Sequence, residues 1–195
     1  MANPTVAEVS SARSVIEGGL AAAPVGTTLP TDATSTLDAA FTGYGYIGTE
    51  GIQPAKERAT EDYKDMNGDT IYTLQTSFDA SFTVPLAQAV GVDVKKLCFG
   101  DLNVTEAGGV VTAVETGEPL PHKSFVISTF SPVSGGVAHH RKVIEDGQIV
   151  TVEEGPLVSS AVRLYTVTIK VYKTGSTYIT EYDEVVADGS GEGEE

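Results

Sequence analysis

The most regular feature of this chain is an alternation of polar and apolar side chains from Thr70 to Val84, TIYTLQTSFDASFTV. Successive side chains of a β-strand point to opposite faces, so the pattern predicts one long strand with two different faces. One face carries the larger apolar side chains: Tyr72, Leu74, Thr76, Phe78, Ala80, Phe82 and Val84. Apart from Ile71, the other face is small and polar: Thr73, Gln75, Ser77, Asp79, Ser81 and Thr83. Such a strand is about 50 Å long and needs a large sheet beside it.

Downstream of this strand the pattern predicts short helical turns and then hairpins. Pro85 is well placed to begin a helical turn, and Asp93 to cap a second one. Further on, Asp146-Gly147 separates two short strand patterns, which is a strong hairpin-turn signal. The chain is therefore expected to be mainly β, a sandwich or barrel with one short helical segment.

Composition divides the chain into three parts. Residues 1–40 are rich in Ala, Thr, Pro, Gly and Ser, which indicates an extended N-terminal arm instead of core. Residues 41–185 are expected to form the β-sandwich domain, and 186–195 a flexible acidic tail. Within the domain, Gln53 to Asp69 is charged and rich in turn-forming residues, so we expect a long polar loop there.

The charge balance argues against nucleic-acid binding. Asp and Glu outnumber Lys and Arg by 27 to 12, for a net charge of -15. Proteins that hold DNA do so with clustered Lys and Arg, and the sequence offers only the pairs Lys95-Lys96 and Arg141-Lys142. No stretch approaches the roughly 20 apolar residues of a membrane span. The N-terminus lacks the pattern of a secretory signal, so we expect synthesis in a cytoplasm and no membrane partner.

The residues that carry chemistry are sparse and poorly arranged for catalysis. His139 and His140 are adjacent and would face opposite sides of a strand, while His122 lies apart. The acidic run that starts at Asp65 fails as an EF-hand, since Thr70 and Thr76 occupy the positions that require Gly and Glu. The single cysteine, Cys98, lies in an apolar stretch and is expected to be a buried, inert thiol. We predict no catalytic residue, no metal site and no cofactor, and therefore no enzyme.

Three segments in order carry a resemblance to a known family: APVGTTLPTDATSTLDAAFTGYGYIGTEGI, MNGDTIYTLQTSFDASFTV and LYTVTIKVYKTGSTYITEYDE. Together they resemble the major tail proteins, or tail tube subunits, of phages with long non-contractile tails, closest to those of actinobacterial hosts. The resemblance covers roughly residues 20–185. It implies a β-sandwich protomer that forms hexameric rings, which stack into a tube in the virion tail. The genome passes through that tube, and the implied partners are further copies, a tape measure protein, a tail terminator and tail tip proteins.

On this interpretation the small polar strand face lines a water-filled lumen through which DNA passes without specific binding. The lumen-facing candidates are Thr73, Gln75, Ser77, Asp79, Ser81 and Thr83, while Leu74, Phe78 and Phe82 are expected to face the core. The charged residues of the predicted loop are expected to set the register between copies: Lys56, Glu57, Arg58, Glu61 and Asp62. The alternative is a β-sandwich binding module, such as a virion decoration or receptor-binding domain, in which the long strand is an ordinary hairpin arm.

Overall fold

The computed structural model of the chain describes residues 13–14, 19–133 and 136–187. Most of the predicted acidic tail and the first twelve residues of the predicted arm lie outside this range. The described part is mainly antiparallel β with one short helix, which confirms the predicted fold class. No helix in the described ranges is long and apolar enough to cross a membrane.

Eleven strands and one α-helix follow one another along the described chain. They are β1 (Arg13–Ser14), β2 (Leu20–Pro24), β3 (Thr42–Gly43), β4 (Gln53–Lys64), β5 (Thr70–Leu86), α1 (Val92–Phe99), β6 (Val104–Ala107), β7 (Val110–Ala113), β8 (Lys123–Val133), β9 (Gly136–Glu154), β10 (Tyr165–Val171) and β11 (Thr180–Ala187). A 3₁₀ turn at Asp101–Asn103 follows the helix.

Nine of these strands form one sheet in the order β3-β2-β8-β9-β10-β5-β4, with β1 beside β8 and β11 beside β9. β6 and β7 form a separate hairpin. The long strand β9 joins the two halves of the sheet: its first part, up to Val143, lies between β8 and β11, and its last part, from Gly147, pairs with β10. One hydrophobic cluster contains side chains from both halves, including Phe125 and Ile127 of β8 and Phe82 of β5. The sheet therefore curls over on itself around a single core.

The core follows the alternation that the sequence predicts for β5 and β10. In β10, Val167 and Ile169 are fully buried while Thr166 and Thr168 face outward. In β5 the buried inner-face positions are Ala80, Phe82, Val84 and Leu86, in register with β10. Burying β-branched and aromatic side chains on the inner face at every second position is the main force that holds this half together.

Helix α1 packs one face on this core through Val94, Leu97 and Cys98. The helix begins at Val92 with Gly91 as its N-cap, so the expectation that Asp93 caps it is wrong. Asp93 in the first turn and Lys96 in the last turn both suit the helix dipole. The helix ends at Gly100, whose φ of 93° lies in the left-handed region and whose N–H donates to the Lys96 carbonyl. The helical turn expected at Pro85 does not form, because β5 continues through Leu86 opposite β10.

The hairpin expected at Asp146-Gly147 is wrong, because both residues lie inside the continuous strand β9. A Cβ atom on Gly147 would lie 2.9 Å from the Phe125 ring and 3.1 Å from Ile169. Glycine is therefore required here by the close packing of side chains from β8 and β10, and not by a turn.

Two segments expected to be irregular are strands. Gln53 to Lys64 of the predicted loop forms β4, a hairpin with β5, and only the short turn around Asp65 to Asp69 is irregular. Within the predicted arm, β2 is a core strand, since Leu20 and Ala21 to Ala23 are buried against β8. The expectation that residues up to 40 lie outside the core is wrong for β2.

Candidate assembly surface

The outward face of the half-sheet formed by β4, β5, β10 and the last part of β9 is small and polar. Cross-strand partners share a face of the sheet, so the register identifies its members. We call this surface the polar face; its described residues are Gln53, Ala55, Glu57, Ala59, Ser77, Asp79, Ser81, Thr83, Thr166, Thr168, Lys170, Gln148, Thr151 and Glu153, together with the bulge residue Val150 of β9. All are exposed or half-exposed. Four of the six predicted polar-strand residues, Ser77 to Thr83, therefore belong to one continuous four-stranded surface.

Lys170 is the only basic residue among these described members of the polar face, and acids lie close to it. Its Nζ is 3.5 Å from Oδ1 of Asp79 on the neighbouring strand. Glu57 of β4 is directly opposite Asp79, and all three side chains line one shallow depression of about 330 Å³. Because both partners of the ion pair are about half exposed, the pair adds little to folding stability. Its main effect is on the local charge of the surface.

A β-bulge at Thr76 interrupts the alternation of the long strand. Ala59 pairs with Ser77, but the next residue of β4, Thr60, pairs with Gln75, so Thr76 is an extra residue in β5. The bulge exchanges the two faces of the strand on its N-terminal side. Thr73 and Gln75 thus lie on the opposite face from Ser77, and Thr73 donates a hydrogen bond to Asp62 at 2.7 Å. The structure does not bring these two residues onto the polar face.

Beyond the bulge, β4 and β5 form a two-stranded hairpin that projects from the core. Every residue of β4 is exposed, and so is β5 from Thr70 to Ser77. The seven residues Thr70 to Thr76 rise about 23 Å. We call residues 60–76 the hairpin tip. It exposes large apolar side chains: Tyr63, Met66, Ile71, Tyr72 and Leu74.

The turn of the hairpin tip is internally well bonded. Oδ1 of Asp65 accepts hydrogen bonds from the backbone N–H groups of Asn67 at 2.8 Å and Asp69 at 2.9 Å. Gly68 adopts a φ of 90°, which favours glycine. The acidic run that resembles a calcium loop in sequence thus stabilises a turn.

An isolated two-stranded hairpin is marginally stable in water, so the exposed apolar side chains of the hairpin tip indicate a partner surface.

The five charged candidates of the predicted loop all lie on β4 and are exposed. Glu57 is on the polar face, and Lys56 and Arg58 are on the other face. The Arg58 guanidinium lies over the Phe78 ring, 4.8 Å from its centroid. Beyond the bulge, Glu61 is opposite Leu74, and Asp62 bonds Thr73. These residues therefore stand along a strand edge and not in a loop.

The apolar face of β5 is only partly a core face. Phe82 is 1% exposed, as predicted. Phe78 packs against the rim of the core, with its ring edge-on to Tyr178 at 4.7 Å between centroids. Leu74 is 39% exposed on the hairpin tip, so the expectation that it faces the core is wrong.

Both outer edges of this four-stranded half lack a strand partner within the described residues. β4 pairs only with β5. On β9, β8 pairs no further than Gly147, which leaves the opposite edge of residues 148–154 open. A groove of about 480 Å³ runs along that edge beside residues 115–120. Pro54 on β4 is compatible with an edge position, where a missing N–H does not break a ladder.

The structure also brings together a Ser-His-Asp set that sequence spacing does not reveal. His140 Nδ1 is 2.5 Å from Oδ1 of Asp183, and its Nε2 is 3.4 Å from Oγ of Ser131. These residues lie on β9, β11 and β8, so only strand register places them side by side. Ser131 is fully buried, whereas a nucleophile must reach its substrate. The set therefore links β8, β9 and β11 as a hydrogen-bonded clamp.

The remaining chemistry-bearing residues do not converge. His139 lies on the face of β9 opposite to His140, as strand alternation requires, and His122 pairs with Asp146 at 2.6 Å. The described residues contain no group of three or more His, Cys, Asp or Glu side chains arranged to hold a metal ion. Cys98 is buried, and desolvation raises the pKa of its thiol to about 12. At neutral pH this thiol is protonated and a poor nucleophile.

Comparison with known proteins finds likenesses among solved structures. No family model matches the chain, and no curated protein matches it. Among solved structures, a chain in the cryo-EM structure of the anti-feeding prophage cap (AFP tube terminating cap) is similar at a TM-score of 0.44 and 9% identity. That similarity covers 92% of this chain and 96% of the other. At this identity and TM-score it carries no argument about function.

Proposed function

We propose that this chain is the major tail tube subunit of a phage with a long non-contractile tail. Copies form rings, six to a ring by the sequence resemblance, and the rings stack into the conduit for the genome. The proposal assigns the chain to the virion tail after synthesis in the host cytoplasm, with a structural and non-enzymatic role. Its partners are other copies and, by the same resemblance, a tape measure protein, a tail terminator and tail tip proteins.

The observation that carries the proposal is the pair of open edges on one four-stranded half-sheet. β4 runs antiparallel to β5, β5 to β10, and β10 to β9, so the two outer strands point in opposite directions. Rotation about a ring axis keeps each strand's direction along that axis. The open edge of β4 in one copy therefore meets the open edge of β9 in the next as an antiparallel pair. Closure of the ring removes both edges, which otherwise invite aggregation.

The polar face would then become the inner wall of the ring. Its Ser and Thr side chains are small and uncharged, and its acids Glu57, Asp79 and Glu153 outnumber Lys170. A wall with this balance releases no counterions from duplex DNA and gives it no adhesive contacts. The predicted lumen residues Ser77, Asp79, Ser81 and Thr83 keep this role, whereas Thr73 and Gln75 would lie on the hairpin tip, facing the other way.

The hairpin tip would reach from one ring to the next. It extends along the strand direction, past the end of the core, and exposes five large apolar side chains that a single copy leaves uncovered. Burying these side chains against another copy gains hydrophobic free energy, which offsets the entropy lost when the hairpin is held in place. Of the five charged candidates, Glu61 and Asp62 lie on the hairpin tip and would set the register of that contact more than its strength. Lys56, Glu57 and Arg58 lie lower on β4, the edge strand that would meet the next copy in the ring, and would set the register there.

Removing the hairpin tip tests this proposal. In the test variant, residues 60–76 are replaced by Asn-Gly, which connects the paired residues Ala59 and Ser77 by a two-residue turn. In the control, Leu102→Ser keeps the full hairpin and removes an equally exposed apolar side chain outside the hairpin tip. Negative-stain microscopy over a concentration series should show tubes for wild type and control, and folded rings or single copies without long tubes for the truncated chain.

Two results would overturn the proposal. A wild-type protein that stays strictly monomeric at high concentration, without rings or tubes in particles or extracts, contradicts the tube assignment and favours the binding-module alternative. A truncated chain that builds long tubes as wild type does removes the stacking role of the hairpin tip.

A further inference from the structure

We propose that Asp79 and Glu57 serve to neutralise Lys170, so that the wall of the conduit carries no ring of free positive charge. This inference rests on the proposed function and adds a specific role for three residues of the polar face. It assigns the acids a local task, the screening of one lysine, instead of a general contribution to negative charge.

The geometry places Asp79 against the lysine, and Glu57, one strand further away, lines the same depression. Asp79 is 3.5 Å from the Lys170 ammonium, and Glu57 is directly across from Asp79 in the β4–β5 register. Apart from these two acids, the neighbours of Lys170 in the same depression are uncharged, Thr168 and Ser81 among them. No other basic side chain belongs to the described part of the polar face, so Lys170 is its one described member that can form a charge-assisted hydrogen bond with a phosphate group.

Assembly multiplies the effect of this single residue. In a ring, every copy places its Lys170 at the same height, and stacked rings repeat that level along the tube. Lysines freed from their acid neighbours would contact several phosphates at once, and each contact changes the logarithm of DNA affinity by about 0.9 per tenfold change in salt. Two such contacts alone alter affinity roughly tenfold between 50 and 200 mM salt. The acids at positions 57 and 79 therefore decide whether DNA slides or adheres.

Glu153 provides a matched control on the same face. It is opposite Thr166, four residues from Lys170 along β10, which is about 13 Å at the rise of a strand. This separation exceeds the Debye length of about 10 Å at 0.1 M salt. Glu153→Gln removes the same charge as Glu57→Gln but leaves the surroundings of Lys170 unchanged.

The test measures retention of labelled duplex DNA by assembled tubes over a salt series that includes 0.1 M. At 0.1 M salt, Asp79→Asn combined with Glu57→Gln should retain more DNA than wild type, and this retention should fall at least about tenfold between 50 and 200 mM salt. Adding Lys170→Met to that double variant should return retention to the wild-type level. Glu153→Gln should behave as wild type.

Each other result contradicts a different statement. Asp79→Asn alone removes one charge, as Glu153→Gln does, and equal retention by these two single variants shows that total charge controls adhesion and overturns the local role. The inference is overturned, while the tube assignment stands, if tubes of the double variant do not retain DNA. It is also overturned if they still retain DNA after Lys170→Met is added. Absence of tubes in every variant and in wild type refutes the proposed function, and the inference falls with it.

Discussion

The sharpest energetic prediction concerns two phenylalanines four residues apart on β5. Phe82 is 1% exposed and belongs to the hydrophobic cluster that contains side chains from both halves of the curled sheet, whereas Phe78 lies at the rim, where the hairpin leaves the core. Phe82→Ala removes a fully buried ring and leaves a cavity in a core that cannot fully collapse. We expect it to lower the free energy of unfolding by about 3 to 5 kcal/mol.

Phe78→Ala should cost much less, because the ring is only partly buried. The substitution removes the edge-to-face contact with the Tyr178 ring, which is worth about 0.5 to 1.5 kcal/mol. It also removes the cation–π contact with Arg58, which is worth about 0.5 to 1 kcal/mol at an exposed site. With some lost apolar burial, a total of roughly 1.5 to 3 kcal/mol follows. Ser81→Ala, on the polar face of the same strand, is the control and should lie within about 0.5 kcal/mol of wild type.

Urea unfolding of the unassembled protein measures all three variants under one condition. For a chain of this size each kcal/mol corresponds to about 2 to 4 °C in Tm, so Phe82→Ala should melt roughly 6 to 20 °C below wild type. The measurement must be made on single copies, since assembly adds its own stabilisation. A larger loss for Phe78→Ala than for Phe82→Ala would refute the placement of the core boundary along β5.

Two further predictions follow from buried polar groups. Arg141 is 7% exposed and donates a hydrogen bond to the Asp32 carbonyl at 3.0 Å. Arg141→Met should therefore lower the free energy of unfolding by about 1.5 to 3 kcal/mol and speed hydrogen exchange at the Thr34 and Ser35 amides, which Asp32 binds. Unchanged exchange at these amides would contradict the anchoring role of Arg141. Burial raises the pKa of the Cys98 thiol from 9.0 to about 12, so the folded state keeps a proton that the unfolded state releases. Stability should therefore be unaffected by this group below pH 9 and fall by about 1.4 kcal/mol per pH unit above it. Burial also raises the pKa of Tyr44 above its ordinary value of 10.0, so the test is the slope between pH 9 and 10, which Cys98→Ala should remove in alkaline urea titrations.

The sequence predicted the strands correctly where one strand face is buried and the other is exposed to solvent. In the C-terminal half of β5, the alternation of Ala80, Phe82 and Val84 with Ser81 and Thr83 matches the structure, because packing on β10 enforces the same period of two. The mainly β class follows from many such short patterns. The polar strand face from Ser77 to Thr83 was predictable for the same reason.

Sequence reasoning failed where that asymmetry is absent. β4 is exposed on both faces, so QPAKERATEDYK carries no hydrophobic period, and only the turn at Asp65 to Gly68 indicates a hairpin. β2 is made of small residues that read as a loop, yet Ala21 to Ala23 pack closely against β8. The bulge at Thr76 and the core position of Gly147 depend on contacts with other strands, which no local pattern reports.

The long strand β9 also determines how this molecule responds to mechanical load. It is hydrogen-bonded to β8 and β11 along its first part and to β10 along its last part. A pull along the strand axis therefore loads these ladders in shear, with many bonds sharing the force, and does not open them one at a time. The clamp of His140 and Asp183 adds a side-chain link between β9 and β11. When the part of β9 that pairs with β10 is tilted, one continuous backbone transmits the tilt to the part that pairs with β11. We therefore expect the two halves of the sheet to move together as a rigid unit.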